Sequence, residues 1–212
     1  MKSNNLIHWI FFCFLLLWCE PTAATNITPQ EAEKFASVQG NELLKAFSEQ
    51  DLSIKYKKLD NMFLNSVDLD YIAKFVVGKY WRNMTASQRQ KYTDLFKRYV
   101  MNTYKGFPLQ FDNRVSFKIT GSRAEKENMF VIADIHYRGD EKTDTFTVEF
   151  RMHKPKNRIL ITDIKIGESS LLVSYRSKFY QMIKDDEEDM EWFLEDFELS
   201  VTSAEKHYAL PD

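Results

Sequence analysis

The first half of the chain carries apolar residues at the spacing of helices. Thr28 and Pro29, followed by acidic residues, are typical of a helix start, so a first helix is predicted from there to Phe47. A second helical stretch is predicted over residues 69–82 and a third over residues 85–105. The apolar stripe of the third helix consists of Tyr92, Leu95, Phe96, Tyr99 and Thr103.

A sharp break separates the second and third predicted helices. Thr85 and Gln88 have the spacing of a capping box, in which two side chains bind the free backbone N–H groups of a helix start. The second helix should therefore end near Asn83 and Met84.

Between residues 114 and 166 the apolar pattern changes to a period of two, which is typical of strands with one solvated face. Four such segments cover residues 114–120, 129–137, 145–153 and 158–166, and their short connections resemble hairpin turns. The pattern predicts a four-stranded antiparallel meander. Its inner face is predicted to carry Val115, Phe117, Ile119, Met129, Val131, Ala133, Ile135, Tyr137, Phe146, Val148, Phe150 and Met152.

The helical spacing returns from Ser169 to the carboxyl terminus. Its apolar positions are Leu171, Leu172, Tyr175, Phe179, Met190, Phe193, Leu194 and Phe197. A sheet with one apolar face needs a cover, so the order of elements predicts an α+β domain whose sheet is covered on one face by helices from both ends of the chain.

Residues 1–24 are typical of an export signal. Lys2 supplies a positive start, residues 6–18 form an apolar run too short to span a bilayer comfortably, and Ala23 and Ala24 are small residues suited to cleavage. Lipid attachment at Cys19 is the alternative, but the bulky Trp18 before it is unfavourable for that signal. Residues 25–212 are then expected to form one exported domain.

The composition narrows the function of this exported domain. Both cysteines, Cys13 and Cys19, lie in the signal, so the domain has no thiol for a disulfide, a metal site or catalysis. A net charge of -2 gives no general attraction to nucleic acid or anionic membranes. The unusual figure is an aromatic share of 15%, which needs a structural or functional role.

Two long stretches resemble one protein family. The first, DLDYIAKFVVGKYWRNMTASQRQKYTDLFKRYVMNTY over residues 68–104, is similar to the most recognisable part of the MlaC-type, or toluene-tolerance, family of periplasmic phospholipid-binding proteins. The second, ITDIKIGESSLLVSYRSKFYQMI over residues 161–183, is similar to the last strand and following helix of that family. The acidic carboxyl-terminal segment departs from the family pattern and leaves partner contacts open.

The resemblance implies a periplasmic carrier without a cofactor, whose cargo is phospholipid. Acyl chains would occupy an apolar cavity between sheet and helices. Such a carrier would pass lipid between an outer-membrane lipoprotein complex and an inner-membrane ABC transporter with a mammalian-cell-entry-domain subunit, and so serve retrograde transport and outer-membrane lipid asymmetry. We expect it to be a monomer.

The aromatic and aliphatic stripes fit either a closed core or the lining of a cavity, and the resemblance favours the cavity. The candidate lipid-binding residues on helices are Phe75, Tyr80, Trp81, Tyr92, Phe96, Tyr99, Leu171 and Tyr175. Those on the sheet are Met129, Val131, Ile135, Phe146, Val148, Phe150 and Ile164.

Charged residues offer two further hypotheses. Lys79, Arg82 and Arg89 flank the predicted break and are candidates for meeting a lipid phosphate, the alternative being solvated helix ends. The acidic residues from 185 to 198 fit the wet face of an amphipathic helix or a docking surface for a basic partner.

The sequence offers little for catalysis, and we predict a protein that is not an enzyme. His136, His153 and His207 do not have metal-ligand spacing, and no nucleotide-binding or serine-hydrolase motif is present. Asp134 and Asp163 keep open one rival, a cone-shaped α+β enzyme acting on a small apolar substrate. A ligand-free interaction module is the second rival.

Overall fold

Helices lie against one face of an antiparallel sheet in the computed structural model of the chain, which describes residues 26–105, 114–139 and 142–208. The predicted export segment, with both cysteines, lies outside the described residues. None of the helices within the described ranges combines the length and the apolar character that crossing a membrane requires.

The first described range contains two helices near its start, α1 (Pro29–Phe47) and α2 (Leu52–Ser66). The predicted start of α1 is confirmed, because the Thr28 hydroxyl accepts the Glu31 N–H while the Glu31 carboxylate accepts the Thr28 N–H at 2.9 Å. Helix α2 was not predicted. Its start is capped by Asp51, whose carboxylate accepts the Ile54 N–H at 3.0 Å.

The next segment contains α3 (Leu69–Val77), a 3-10 turn (Gly78–Arg82) and α4 (Ala86–Lys105). The predicted capping box between them is confirmed. The Thr85 N–H donates to the Gln88 side chain at 2.9 Å, and the Gln88 N–H donates to the Thr85 hydroxyl at 3.2 Å.

The sheet is an antiparallel meander of β1 (Val115–Glu125), β2 (Asn128–Arg138), β3 (Thr143–His153), β4 (Leu160–Ile166) and β5 (Ser169–Ser170). The α+β class is therefore confirmed, but the predicted count of four strands is wrong. Gly167 turns the chain with φ +57°, and Ser169 and Ser170 then pair with β4. A two-residue polar strand is too short to show any alternation.

Helix α1 covers the inner face of the sheet. Its small residues Ala32 and Ala36 pack on Met129, Val131 and Met152, all of which are fully or nearly fully buried. Small side chains on the helix let its backbone approach the sheet closely.

The remaining helices, α5 (Leu171–Asp185) and α6 (Met190–Tyr208), join α3 and α4 in a second core built from aromatic rings. Phe179 lies at its centre, with its ring 5.1 Å from that of Phe197, 5.5 Å from Phe96 and 5.6 Å from Tyr99. The buried hydroxyl of Tyr92 donates to the Ala73 carbonyl at 3.1 Å. This helical core is filled.

Replacing Phe179 with alanine should lower the free energy of unfolding by about 3–5 kcal/mol, because the vacated volume would break several ring contacts at once. Urea denaturation followed by circular dichroism measures the loss. Trp192→Ala on α6 is the matched control: its side chain is 55% exposed, so the expected change is within about 0.5 kcal/mol. Equal losses in the two variants would contradict a filled core at Phe179.

The start of α1 should also respond to acid. Hydrogen bonds from the Thr28 backbone, then from Lys154, lower the pKa of Glu31 from 4.5 to about 2. The stabilisation from this carboxylate is therefore fully present above pH 4.5 and is lost as the pH falls through about 2. Carbon-13 NMR titration of the Glu31 carboxylate measures the pKa directly, and a midpoint near 4.5 would contradict the capping box.

Candidate functional site

Two apolar cavities lie between the sheet and the helices. The first, here called the sheet cavity, has a volume of about 120 Å³ and lies between α1, α2 and the inner face of the sheet. The second, here called the helix cavity, has a volume of about 160 Å³ and lies between β4 and helices α2 to α5. Each is smaller than the roughly 300–1,000 Å³ typical of sites for drug-sized ligands.

The two cavities meet at a shared wall. Phe63, Val67, Ile161 and Ile164 line both of them. The backbone fixes this wall, because Val67 forms a parallel bridge with Ile161 and the Asp68 N–H donates to the Ile161 carbonyl at 2.9 Å. The two cavities are therefore adjacent, and the side chains and backbone of this shared wall separate them.

The few polar groups in the lining are hydrogen-bonded to the protein. Ser66 of α2 donates to the Gln39 side-chain oxygen of α1 at 2.5 Å. Thr103 donates to the Tyr99 carbonyl at 2.9 Å. With these donors occupied, the space is suited to hydrocarbon rather than to a polar substrate.

Gly40 allows α1 to lie close to the ring of Phe117 beside the sheet cavity. A Cβ atom at this position would lie 2.7 Å from the ring of Phe117, so only glycine lets that ring lie against α1. The weak helix former in the middle of α1 therefore has a packing role beside the cavity.

The apolar inner face of the sheet continues beyond the cavities into solvent. Phe146 is opposite Ile135 in the sheet and is 53% exposed, and Ile166 lies two residues beyond Ile164 and is 49% exposed. Leu171, in the lining of the helix cavity, is 40% exposed. Phe146, Ile166 and Leu171 mark what we call the open end of the apolar face.

The predicted lipid-binding residues separate into several environments. Those that line a cavity are Ile135, Phe150, Ile164, Leu171 and Tyr175. Those in or against the filled helical core are Tyr80, Tyr92, Phe96 and Tyr99, with Phe75 and Trp81 at its surface. On the inner face of the sheet, Met129, Val131 and Val148 are buried outside the two cavities. Contact of any of these residues with lipid stays a prediction.

The three cations predicted to meet a headgroup do not form one cluster. Lys79 lies 3.8 Å from Glu188, measured between Nζ and Oε1. The Arg89 guanidinium donates to the carbonyls of Trp81, at 2.9 Å, and Arg82, at 3.5 Å, and so holds the 3-10 turn against α4. Arg82 lines a separate surface groove.

Helix α2 supplies lining residues that the sequence prediction missed, among them Met62 and Phe63, with Val67 just beyond its end. A signal for them exists, because Leu59, Met62 and Phe63 follow the Asp51 cap at helical spacing. The many lysines and polar residues of α2 weaken this stripe.

Asp134 and Asp163, the two acids behind the enzyme hypothesis, form hydrogen bonds within the fold. Asp163 accepts hydrogen bonds from the Ser170 hydroxyl at 2.6 Å and the Leu172 N–H at 3.0 Å, which fixes the start of α5. Asp134 accepts the Thr147 hydroxyl at 2.9 Å on the solvent face. His153 lies 2.7 Å from the Asp68 carboxylate. Within the described ranges, no three His, Cys, Asp or Glu side chains are grouped to hold a metal.

Comparisons with known proteins agree with this geometry. The family model described as MlaC protein matches residues 37–197. The chain is similar to the solved structure of the phospholipid-binding protein from Ralstonia solanacearum in complex with a phospholipid, with a TM-score of 0.67 and 17% sequence identity. That similarity covers 82% of this chain and 98% of the other, and at this identity it shows a shared fold. A search of curated proteins gave no match.

The structural role of Asp163 can be tested against Asp134. Asp163→Ala should lower the free energy of unfolding by about 1–3 kcal/mol, because it leaves the Leu172 N–H and the Ser170 hydroxyl without their acceptor beside the helix cavity. Asp134→Ala should cost less than about 1 kcal/mol, since it removes one solvated hydrogen bond. Urea denaturation measures both values, and an Asp163→Ala variant as stable as the wild type would contradict this role.

Proposed function

The chain belongs to the MlaC family, and from this premise we propose that it is a periplasmic phospholipid carrier that holds acyl chains in the two adjacent cavities. The observation that carries the proposal is the pair of apolar cavities that share Phe63, Val67, Ile161 and Ile164 as a common wall. Family membership and the phospholipid-binding neighbour support a binding or transport protein over an enzyme.

The energetics of hydrocarbon explain why such a carrier is needed. Exposing a buried CH₂ group to water costs about 0.8 kcal/mol, so a sixteen-carbon chain costs on the order of 12 kcal/mol. A protein that shields the chain from water removes most of this barrier without making or breaking a covalent bond. The polar groups of the lining already form hydrogen bonds within the protein, so they would not need partners from the lipid.

The open end gives the headgroup a place in solvent. Three exposed apolar side chains adjoin the cavities: Phe146 pairs with Ile135 in the sheet, Ile166 lies two residues beyond Ile164, and Leu171 lines the helix cavity. A lipid whose chains pass these side chains inward would keep its headgroup outside, where the cost of burying a charged phosphate is avoided.

Loading requires the walls to separate, and we assign this movement to α2. The sheet is held by continuous hydrogen-bonded pairing from β1 to β4, so it is the rigid wall. Helix α2 has Leu59 as its only fully buried large apolar side chain, and Leu52, Ile54 and Leu64 are about half exposed. Displacing α2 therefore exposes less apolar surface than displacing α3, which buries Leu69, Ala73, Val76 and Val77.

The proposal extends to place and partners. As a member of this family the protein would be exported to the periplasm and act there as a single-domain monomer. It would receive phospholipid from an outer-membrane lipoprotein complex and deliver it to the inner-membrane transporter, or act in the opposite direction.

Replacing Ile164 with tryptophan should block loading, because the larger side chain would project into the junction of both cavities. Protein purified from cells is extracted with organic solvent, and the phospholipid per protein is measured by mass spectrometry. We expect the wild type to carry phospholipid and the variant to lose most of it.

Ile132→Trp is the matched control. Ile132 lies in β2 opposite Glu149, on the side of the sheet away from the cavities, so this variant should keep its phospholipid. Circular dichroism checks that both variants are folded. Absence of phospholipid from the wild type would contradict the carrier function, whereas full loading of Ile164→Trp would contradict only the assignment of the cavities.

A further inference from the structure

A basic groove lies on the outer side of α3, between this helix, the 3-10 turn and α5. It has a volume of about 360 Å³. Its lining combines aromatic side chains with cations: Tyr71, Lys74, Phe75, Gly78, Trp81, Arg82 and Arg176. It shares no residue with either apolar cavity.

Arg176 is held in place at the centre of the basic groove. Its guanidinium carbon lies 4.9 Å from the ring centre of Phe75 and 5.0 Å from that of Tyr180. Two of its nitrogens donate to the Phe75 carbonyl at 3.4 Å and to the Tyr180 hydroxyl at 3.0 Å. These contacts use part of its five N–H donors and fix the plane of the group, so the others are pre-oriented for an anion.

Gly78 makes this arrangement possible. It has φ +49°, and a Cβ atom there would lie 2.4 Å from the Tyr180 hydroxyl and 2.7 Å from the Arg176 guanidinium. A side chain at this position would therefore push Arg176 and Tyr180 away from the turn, in addition to straining the backbone.

Lys74, Arg82 and Arg176 of the basic groove differ from nearby cations in their surroundings. Among residues 26–105, 114–139 and 142–208, no carboxylate forms an ion pair with Lys74, Arg82 or Arg176. Nearby cations differ, since Lys97 pairs with Asp70 at 2.8 Å and Lys79 lies beside Glu188. The basic groove therefore places three positive charges, none of them in an ion pair with a described carboxylate, around aromatic rings. Such a concentration of positive charge is unexpected in a protein whose net charge is -2.

We propose that the basic groove is a docking site for an acidic segment of a protein partner, with carboxylates meeting Lys74, Arg82 and Arg176 and an apolar side chain meeting Phe75 and Trp81. Arginine with aromatic side chains is the combination that most often dominates binding energy at protein interfaces. The complementary charge would speed association and select the partner.

The surroundings favour a narrow protein segment over an anionic membrane. The acidic turn at residues 185–189 borders the basic groove, since Glu188 lies 3.8 Å from Lys79, the residue after Gly78. A flat anionic bilayer covering the groove would also contact this turn and be repelled by its negative charges. An extended peptide segment can enter the concave groove without contacting the turn.

The inference goes beyond the carrier proposal and does not need it. Leu69 and Ile72 of α3 line the helix cavity, whereas Tyr71, Lys74 and Phe75 line the basic groove. The two sites lie on opposite sides of one helix. Variants of the basic groove are therefore expected to keep their phospholipid, and binding to the groove can be measured independently of cargo.

Fluorescence anisotropy tests the proposal with the full-length exported protein. The probe is a fluorescein-labelled peptide, Gly-Ser-Asp-Glu-Phe-Asp-Glu-Gly-Ser, compared with its Asn/Gln counterpart. We expect only the acidic peptide to bind, and its Kd to rise by about five- to tenfold in Lys74→Glu and in Arg82→Glu. Lys34→Glu on α1 is the control, because it makes the same charge change at an exposed helical lysine outside the groove.

Three results would overturn the proposal. The first is an acidic peptide that does not bind the wild-type protein. The second is a Kd that changes equally in Lys34→Glu, which would reduce the effect to net charge. Co-sedimentation with phosphatidylglycerol vesicles that depends on Lys74 and Arg82, without peptide binding, would identify a membrane surface instead. All substituted side chains are exposed, and circular dichroism confirms that each variant is folded.

Discussion

Leaving apolar side chains unpacked destabilises a protein. This constraint explains why the interior consists of densely packed cores beside two small cavities. A dry cavity removes packing contacts from every group that lines it, at a cost on the order of a few kcal/mol for spaces of this size. The described residues contain no cysteine to cross-link the chain, so the loss must be offset by packing elsewhere. The aromatic core around Phe179 and the contact of α1 with the sheet supply that packing.

The same division decides which aromatic residues are available to a ligand. Tyr92 and Tyr175 both belong to apolar helical stripes, yet Tyr92 is fully buried among rings of the helical core and Tyr175 lines the helix cavity. A filled core fixes α4 and α5 in position, and the cavity is the space that remains where these rigid helices meet β4. The rings at the centre of this core therefore keep the helix cavity open without lining it.

The periodicity of the sequence predicts the face on which a side chain lies, so the inner face of the strands could be predicted. The helix caps could be predicted from the residue types at the helix starts, such as Thr28 and Thr85. Periodicity carries no information on whether the opposite surface fills the gap. Phe150 and Met152 share one face of β3, but Phe150 lines the sheet cavity and Met152 is buried under α1. The difference depends on where α1 crosses the sheet, which involves residues far apart in the chain. Helix α2 was not predicted because the buried side of this helix includes the polar residues Lys55 and Ser66 beside Leu59, which weakens its apolar periodicity.

Helix α3 connects the two functions proposed for this protein, and its anchoring suggests how they are kept apart. Asp68 caps its first turn and bonds His153 of the sheet, while the Phe75 carbonyl near its end accepts a hydrogen bond from Arg176. Its buried side packs in the aromatic core, so α3 is displaced less easily than α2. A partner bound in the basic groove would therefore rest on a fixed surface, while α2, on the other side of the cavity, stays free to move. Docking and loading would then use different walls of the same space, which allows a carrier to hold its partner while its cargo is exchanged.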